Sequence, residues 1–321
     1  MLRARGLSVK RGDRVVVDAV DLDVRRGEVV VLLGPNGAGK STLLHALAGL
    51  IAPSGGELEA DGRVAAALQA PALARRSVLA NVEAALSWWG VPREQRRARA
   101  SAALARLGAE HLADRHAGTL SGGEARRVHL ARVLAVDAAV LLLDEPFAGL
   151  DAATRADLLY DAASVLRDPS RAVLVIVHDR ADAWALADRV GVLLDGRIEA
   201  IGTSTEVLER PATRRVAEFV GFTGWLAEGA AVRMTRPVDV ALDRAGDLRG
   251  RVVRRIPVED GIRLEVELAH GRLVTVTPPP GPEPGANVRL RVIGGVRFAR
   301  EHAAGPWTTP SASEPSPPPS G

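Results

Sequence analysis

Through about the first 220 residues, short strings of consecutive apolar residues alternate with longer stretches in which apolar residues recur every three or four positions. Val29–Leu33, Val140–Leu143 and Val173–Val177 are apolar throughout. Such runs predict strands buried on both faces, as in a parallel sheet covered by helices. The spacing between them predicts the helices. One follows Asp151 as N-cap and places Leu158, Leu159, Ala162, Val165 and Leu166 on one face. Another runs from a glycine-rich segment through Leu50, and a third follows Ser121 with Leu130, Val133 and Leu134 on one face. Asp195-Gly196 predicts a tight hairpin, and Thr203 with Glu206 predicts a capping box before a short helix. The fold class is α/β, with ligands expected at the carboxyl ends of the strands.

From about residue 230 the helical period gives way to a period of two. Ile262, Leu264, Val266 and Leu268 alternate with polar residues, as do Val288, Leu290 and Val292. The expected organisation is an α/β domain over 1–221, a small all-β domain over 230–300, and a Pro/Ser-rich tail over 303–321. The tail's composition predicts disorder.

The 321 residues are 47% hydrophobic and 25% charged, enough to build a core and too apolar for general disorder. No apolar run approaches the ~18 residues of a membrane span, and the N-terminal segment shows no signal-peptide pattern. The absence of cysteine excludes disulfides, thiolate metal sites and cysteine nucleophiles. A net charge of +3 predicts an ordinary solvated surface and no nucleic-acid partner. Only Lys10 and Lys40 are lysines, so a lysine at a special place carries information.

Lys40 is at such a place. The predicted strand Val29–Leu33 runs into Gly34, Pro35, Asn36, Gly37, Ala38, Gly39, Lys40, Ser41 and Thr42, and then into a helix. This is the P-loop pattern in its required strand–loop–helix setting. Its glycines let successive N–H groups turn inward toward an anion, and the helix N-terminus adds its positive end. Lys40 is expected on the β- and γ-phosphates and the Ser41 hydroxyl on Mg²⁺. The strand Val140–Leu143 ends in Asp144-Glu145-Pro146. Asp144 is expected to hold the Mg²⁺, and Glu145 to orient and deprotonate an attacking water. Two carboxylates this close repel, which is tolerable beside a divalent cation.

Leu120-Ser121-Gly122-Gly123-Glu124 opens the third helix, with Ser121 where an N-cap belongs. At this point the chain resembles the ATP-binding-cassette (ABC) ATPases, whose signature is LSGGQ; Glu124 replaces the final Gln. The order P-loop, signature, Asp144-Glu145 matches the family. The resemblance implies a P-loop NTPase domain with a helical subdomain and a cofactor pair of ATP and Mg²⁺. It implies further roles for single residues. Gln69 resembles the Q-loop glutamine, in contact with Mg²⁺ or the attacking water. Ala148-Gly149-Leu150-Asp151 resembles the D-loop, which assigns Asp151 to the nucleotide site. His178 resembles the switch histidine beside the γ-phosphate. Ser121, Gly122 and Gly123 would close over the nucleotide of a second cassette. One departure stands out. Lys10-Arg11-Gly12 occupies the place where the family often has an aromatic for adenine, and no aromatic precedes Trp88. Adenine is then expected on Arg11, on the apolar face of Val16, or only loosely held. The pair Trp88-Trp89 is expected in a core.

The 230–300 segment resembles the OB-like TOBE barrel of bacterial importer cassettes, with Thr235–Leu242 as its opening, and Phe147 also looks importer-like. The implied function is the ATPase subunit of an ABC importer at the cytoplasmic face of the membrane. A second cassette (a homodimer), transmembrane permease subunits and, indirectly, an extracytoplasmic solute-binding protein are the implied partners. An oxyanion, molybdate or tungstate first, is the expected cargo. The alternatives are an exporter cassette, for which the β appendage is odd, and a soluble cassette of translation or DNA repair. Translation factors carry two cassettes, and repair members a coiled-coil insert. The roughly 80 residues between Lys40 and Ser121 leave no room for such heptads.

Overall fold

The computed structural model describes residues 1–299. The chain divides into one compact unit over Met1–Val220 and a second from Gly221. Strands of the first unit are β1 (Leu2–Arg11), β2 (Arg14–Val24), β3 (Val29–Leu33), β4 (Gly55–Ala60), β5 (Val64–Ala67), β6 (Val140–Asp144), β7 (Ala172–Ile176), β8 (Arg189–Leu194) and β9 (Arg197–Gly202). Its helices are α1 (Lys40–Leu47), α2 (Val78–Trp88), α3 (Arg93–Ala105), α4 (Gly122–Leu134), α5 (Ala152–Leu166), α6 (Arg180–Leu186) and α7 (Arg214–Phe219).

Two sheets frame the unit. One is antiparallel, in the order β2-β1-β4; the other has the order β5-β6-β7-β3-β8-β9. Within the second, β5 through β8 are parallel and β9 returns antiparallel through the Asp195-Gly196 hairpin. Both turn residues have positive φ, 46° and 82°, as a turn that follows the strand twist requires. Every residue of β3, β6 and β7 is buried, which is why these strands read as unbroken apolar strings. Leu43, Leu44 and Leu47 of α1 share one core with Leu7, Val9 and Leu22 of the first sheet and Leu32, Leu142 and Leu174 of the second. Truncating one such leucine to alanine would cost about 2–5 kcal/mol, so α1 is held firmly on both sides. Helices α2, α3 and α4 pack on one another and form the helical subdomain, with Leu86, Leu104 and Leu130 buried.

Some expectations shift. Helix α1 stops at Leu47 rather than Leu50, because Gly49 turns the chain at φ 72°. The capping box at Thr203 and Glu206 forms, with hydrogen bonds of 2.8 and 3.3 Å, but it opens a single π-helical turn over Thr205–Glu209. In helix α5, Leu159 is only half-buried. Trp88 is not in a core: it is 78% exposed, while Trp89 lies beneath the Arg63 guanidinium at 3.9 Å.

The second unit is all-β. It contains β10 (Gly224–Glu228), β11 (Ala231–Thr235), β12 (Val240–Leu242), β13 (Leu248–Val258), β14 (Gly261–Leu268), β15 (Gly271–Thr277), β16 (Asn287–Val292) and β17 (Val296–Ala299). They form one antiparallel sheet in the order β12-β16-β13-β14-β15-β10-β11-β17. Ile262, Leu264, Val266 and Leu290 are in its core, as the alternation predicts, with Leu268, Val288 and Val292 packed against them. The β region starts earlier than residue 230: β10 pairs with both β11 and β15. The predicted tail, 303–321, lies outside the described residues.

Candidate active site

Four neighbouring strands, β5, β6, β7 and β3, deliver the predicted residues to one edge of the parallel sheet. Gln69 follows β5, Asp144 ends β6 with Glu145 next, His178 follows β7, and the P-loop follows β3. All lie beyond the carboxyl ends, the crevice where open α/β sheets bind ligands.

The P-loop needs its glycines. Gly39 is the N-cap of α1 at φ 103°, and a Cβ there would stand 2.6 Å from the Val16 carbonyl oxygen. A Cβ on Gly34 would meet the Leu193 carbonyl oxygen at 2.3 Å. The loop is thus wedged between β2 and β8, and Val16 borders it. With glycine as N-cap, no side chain caps the first turn of α1. Lys40 is buried and donates to the carbonyls of Gly34 and Pro35 at 2.7 and 3.0 Å. Burial lowers its pKa, opposed by Glu145 and Asp144. An ammonium folded back on two carbonyls, at the mouth of an uncapped helix, is ready to exchange them for phosphate oxygens.

Asp144 is buried, and burial raises its pKa against the hydrogen bond from Ser41, 3.3 Å away. A desolvated carboxylate beside a hydroxyl is a hard oxygen pair that fits Mg²⁺, a cation held by one or two carboxylates plus substrate phosphates. Glu145 sits next to it at φ 50°, a left-handed conformation costing a non-glycine residue about 1–3 kcal/mol. Its neighbours over-determine that conformation. The Glu145 N–H donates to the Ile176 carbonyl at 3.0 Å, and its carbonyl accepts from Arg126 at 3.1 Å. Gln69 Nε2 donates to one carboxylate oxygen at 2.9 Å, and His178 Nε2 contacts the other. Glu145 and His178 line an open cleft of about 480 Å³, shared with Leu150 and Arg155. Arg155 pairs with Asp182 at 2.6 Å and Asp179 at 3.2 Å, tying α5 to the turn after His178.

The remaining predicted residues lie elsewhere. Ser121 caps α4: its hydroxyl accepts from the Glu124 N–H at 3.3 Å, and Glu124 accepts from the Ser121 N–H at 2.7 Å. Gly122 has open space where a Cβ would be, whereas a Cβ on Gly123 would touch Thr154 of α5 at 2.7 Å. Helix α4 packs on α2, α3, α5 and β5, while α1 packs on β1, β2 and β6. The signature turn and the P-loop are thus built on different neighbours. Asp151 is the N-cap of α5, its carboxylate accepting from the Thr154 N–H at 3.0 Å and held below the usual carboxylate range by that bond.

The ABC transporter family model matches residues 17–148, a span holding the P-loop, Gln69, the signature turn and Asp144-Glu145. An Fe(3+) ions import ATP-binding protein of Streptomyces coelicolor is 36% identical over 287 residues, 83% of this chain and 82% of its own. This chain belongs to the ABC transporter family. A sulfate/thiosulfate import ATP-binding protein of Methylococcus capsulatus is 35% identical over 320 residues, 84% of this cassette chain and 89% of its own. Among solved structures, a bacterial ABC transporter cassette in dimeric form is 27% identical with a TM-score of 0.57, covering 64% of this chain and 99% of its own. A post-hydrolysis state of that cassette, bound to ADP and Pi, matches equally.

The cassette also holds site residues that sequence reading missed. Arg126 donates to the Gln69 carbonyl at 3.0 Å as well as to Glu145. His129 contacts the Leu68 carbonyl at 3.0 Å and Arg132 at 2.8 Å, and Arg132 donates to the Ala72 carbonyl at 2.7 Å. Burial, with Arg132 next to it, pushes the His129 pKa down to about 4. The sequence signal was three basic residues spaced by three along a helix, His129 and Arg132 each between apolar neighbours; their acceptors are backbone atoms, which no side-chain pattern marks.

Proposed function

We propose that this chain is the ATP-hydrolysing subunit of an ABC importer, peripheral at the cytoplasmic face of the membrane and working as a pair of cassettes beneath separate permease subunits. An extracytoplasmic solute-binding protein would deliver the cargo. One observation carries the catalytic reading: the Glu145 carboxylate is gripped by Gln69 and His178 beside the Ser41–Asp144 pair.

In this reading the α1 N–H groups and Lys40 take the β- and γ-phosphates of ATP. Ser41 and Asp144, with the Gln69 side-chain oxygen, would hold a Mg²⁺, which would supply charge neutralisation on those phosphates. Gln69 and His178 fix the two Glu145 oxygens, so the carboxylate can only point one way. Glu145 takes a proton from the attacking water as its oxygen bonds to the γ-phosphorus, and the bond to the β–γ bridging oxygen breaks to leave ADP. His178 steadies the γ-phosphate. The Ser121–Gly123 turn, built apart from its own P-loop, serves the nucleotide of the second copy; the dimeric form of the cassette relative supports this. Closure then depends on bound nucleotide, because the contacts of the Ser121–Gly123 turn to the γ-phosphate exist only in the closed pair.

The β unit from Gly221 is assigned as a TOBE-type appendage, which favours an importer. The cargo is assigned as an oxyanion, molybdate or tungstate first; the sulfate/thiosulfate relative, whose match spans most of both chains, supports the class. The cargo test is uptake of labelled molybdate in cells with and without this gene, competed by tungstate, sulfate or Fe³⁺. Uptake lost with the gene and competed by tungstate supports the assignment. Unchanged uptake overturns it.

Glu145→Gln tests the catalytic reading. Gln is nearly isosteric and does not accept the proton, so hydrolysis should slow by about 10²–10⁴-fold. Nucleotide binding should survive, and the closed dimer should accumulate with Mg-ATP on size-exclusion chromatography. A wild-type rate in this variant would move the base role elsewhere, to His178 first.

A further inference from the structure

Residues 68–72 carry Gln69 yet belong to no strand or helix, and a loop without a ladder must place its backbone polar groups elsewhere. Some close local turns, Ala72 N–H onto the Ala70 carbonyl and Leu73 N–H onto that of Pro71, and three carbonyls go to one face of α4. Arg126, His129 and Arg132 are spaced by three, so they share a side of the helix. They meet the carbonyls of Gln69, Leu68 and Ala72 respectively. We propose that these three side chains are positioning residues: they fix the backbone around Gln69 and, through Gln69, the orientation of the Glu145 carboxylate. The inference rests on Glu145 as the base.

Chemistry fixes the state of the ridge. A carbonyl only accepts and a guanidinium only donates. His129 therefore carries its proton on Nε2, toward Leu68, and leaves Nδ1 bare for Arg132. The half-buried Arg126 spends one nitrogen on two carbonyls, at 3.0 Å to Gln69 and 3.1 Å to Glu145. That bond bridges the two catalytic segments directly and also holds Glu145 in its left-handed conformation. The helix bearing the ridge starts at Ser121–Gly123. A push on that turn therefore reaches Gln69 and Glu145 through rigid helix and hydrogen bonds. The ridge gives the contact between copies a physical route to the hydrolytic carboxylate.

The test is steady-state ATPase and nucleotide binding on the full-length chain. Arg126→Ala and His129→Ala should lower kcat by ~10–100-fold, as misplacement of a catalytic group does, while KM and ATP affinity stay within about twofold. His129→Gln, which offers one donor and one acceptor, should recover most of the rate lost in His129→Ala. Arg126→Ala added to Glu145→Gln should slow that variant no further, because the contribution passes through the carboxylate. The proposal is overturned if KM rises while kcat holds, if His129→Gln is as slow as His129→Ala, or if the double variant multiplies the two losses. If His129→Ala does not fold, Arg126→Ala against Arg126→Lys decides: the lysine still donates and should recover rate, and no recovery counts against the ridge. A wild-type rate in Glu145→Gln alone sinks the base assignment separately, and the single-variant kcat losses then still judge the ridge.

Discussion

Helix α1 and helix α4 both begin at glycines, and both present N–H groups that the helix itself cannot satisfy. At α1 the cap residue is Gly39, with no side chain to offer, and the charges nearby sit uneasily. Burial lowers the Lys40 pKa and raises that of Asp144, so each charged form is disfavoured where it stands. At α4 the cap is closed: Ser121 and Glu124 satisfy each other's N–H groups, and Arg115 pairs with Glu124 at 2.7 Å. Bonds from Ser121 hold the Glu124 pKa below its ordinary value, so its charge is welcome. One turn has no side-chain cap and keeps its buried ammonium on two exchangeable backbone carbonyls, as the proposed triphosphate site needs; the other is complete in the single chain. The contrast fits the proposal that two glycine-rich helix starts in one sequence serve opposite faces of a nucleotide held between two copies.

The largest expected effect comes from attacking the open turn. Lys40→Ala removes the cation proposed for the β- and γ-phosphates, and Lys10, the only other lysine in the sequence, lies on β1. Saturating Mg-ATP at ~100 times its Kd should stabilise the wild type by about 2.7 kcal/mol. In Lys40→Ala that melting shift should vanish and hydrolysis with it. Normal turnover would overturn the P-loop assignment. Gly39→Ala attacks the same turn through the backbone, because the new Cβ would stand 2.6 Å from the Val16 carbonyl oxygen at a φ of 103°. ATP affinity should fall at least tenfold by titration calorimetry, about 1.4 kcal/mol. Unchanged affinity would mean that the loop can relax away from Val16.

Most of this contrast is legible in the sequence. The P-loop, the signature turn and Asp144-Glu145 are contiguous strings, and each stays local in the fold. Buried parallel strands announced themselves as apolar runs because both faces of β3, β6 and β7 are covered. What escaped reading was long-range or lay in the backbone. The Arg126, His129 and Arg132 ridge binds carbonyls 57 to 61 residues away, and carbonyls carry no letter in a sequence. The strand β10 escaped because it is five residues long, ends just before Gly229, and is half-buried over most of its length. Trp88 was expected inside because paired tryptophans are more often core than interface, but α2 ends there and, among the described residues, it stays largely exposed. Glu124 was read as a substitute for a glutamine, when its position three residues after Ser121 already spelled a capping box.

The closed turn should respond more mildly. Ser121→Ala removes the side-chain acceptor at the N-cap, which typically costs about 1 kcal/mol. Chemical denaturation should show that loss, with ATP affinity of the single chain unchanged because the P-loop packs on other elements. A loss of ATP affinity in the isolated monomer would show that the two turns are coupled within one copy.

Glu124→Gln gives the smallest effect and the finest test of the comparison. Gln at this position can still accept from the Ser121 N–H, so the capping box survives. What it loses is the charge that the helix N-terminus and Arg115 favour, an exposed contribution of a few tenths of a kcal/mol. The pH dependence isolates that charge. A carboxylate whose folded pKa is depressed stabilises the fold above its unfolded value, here 4.5, and loses that stabilisation as the pH falls through the folded value. The difference in stability between wild type and Glu124→Gln should therefore be present near pH 7 and shrink as the pH drops below about 4.5. A difference independent of pH would show that the cap works by geometry alone, and that the favourable charge at this turn is not what separates it from the P-loop.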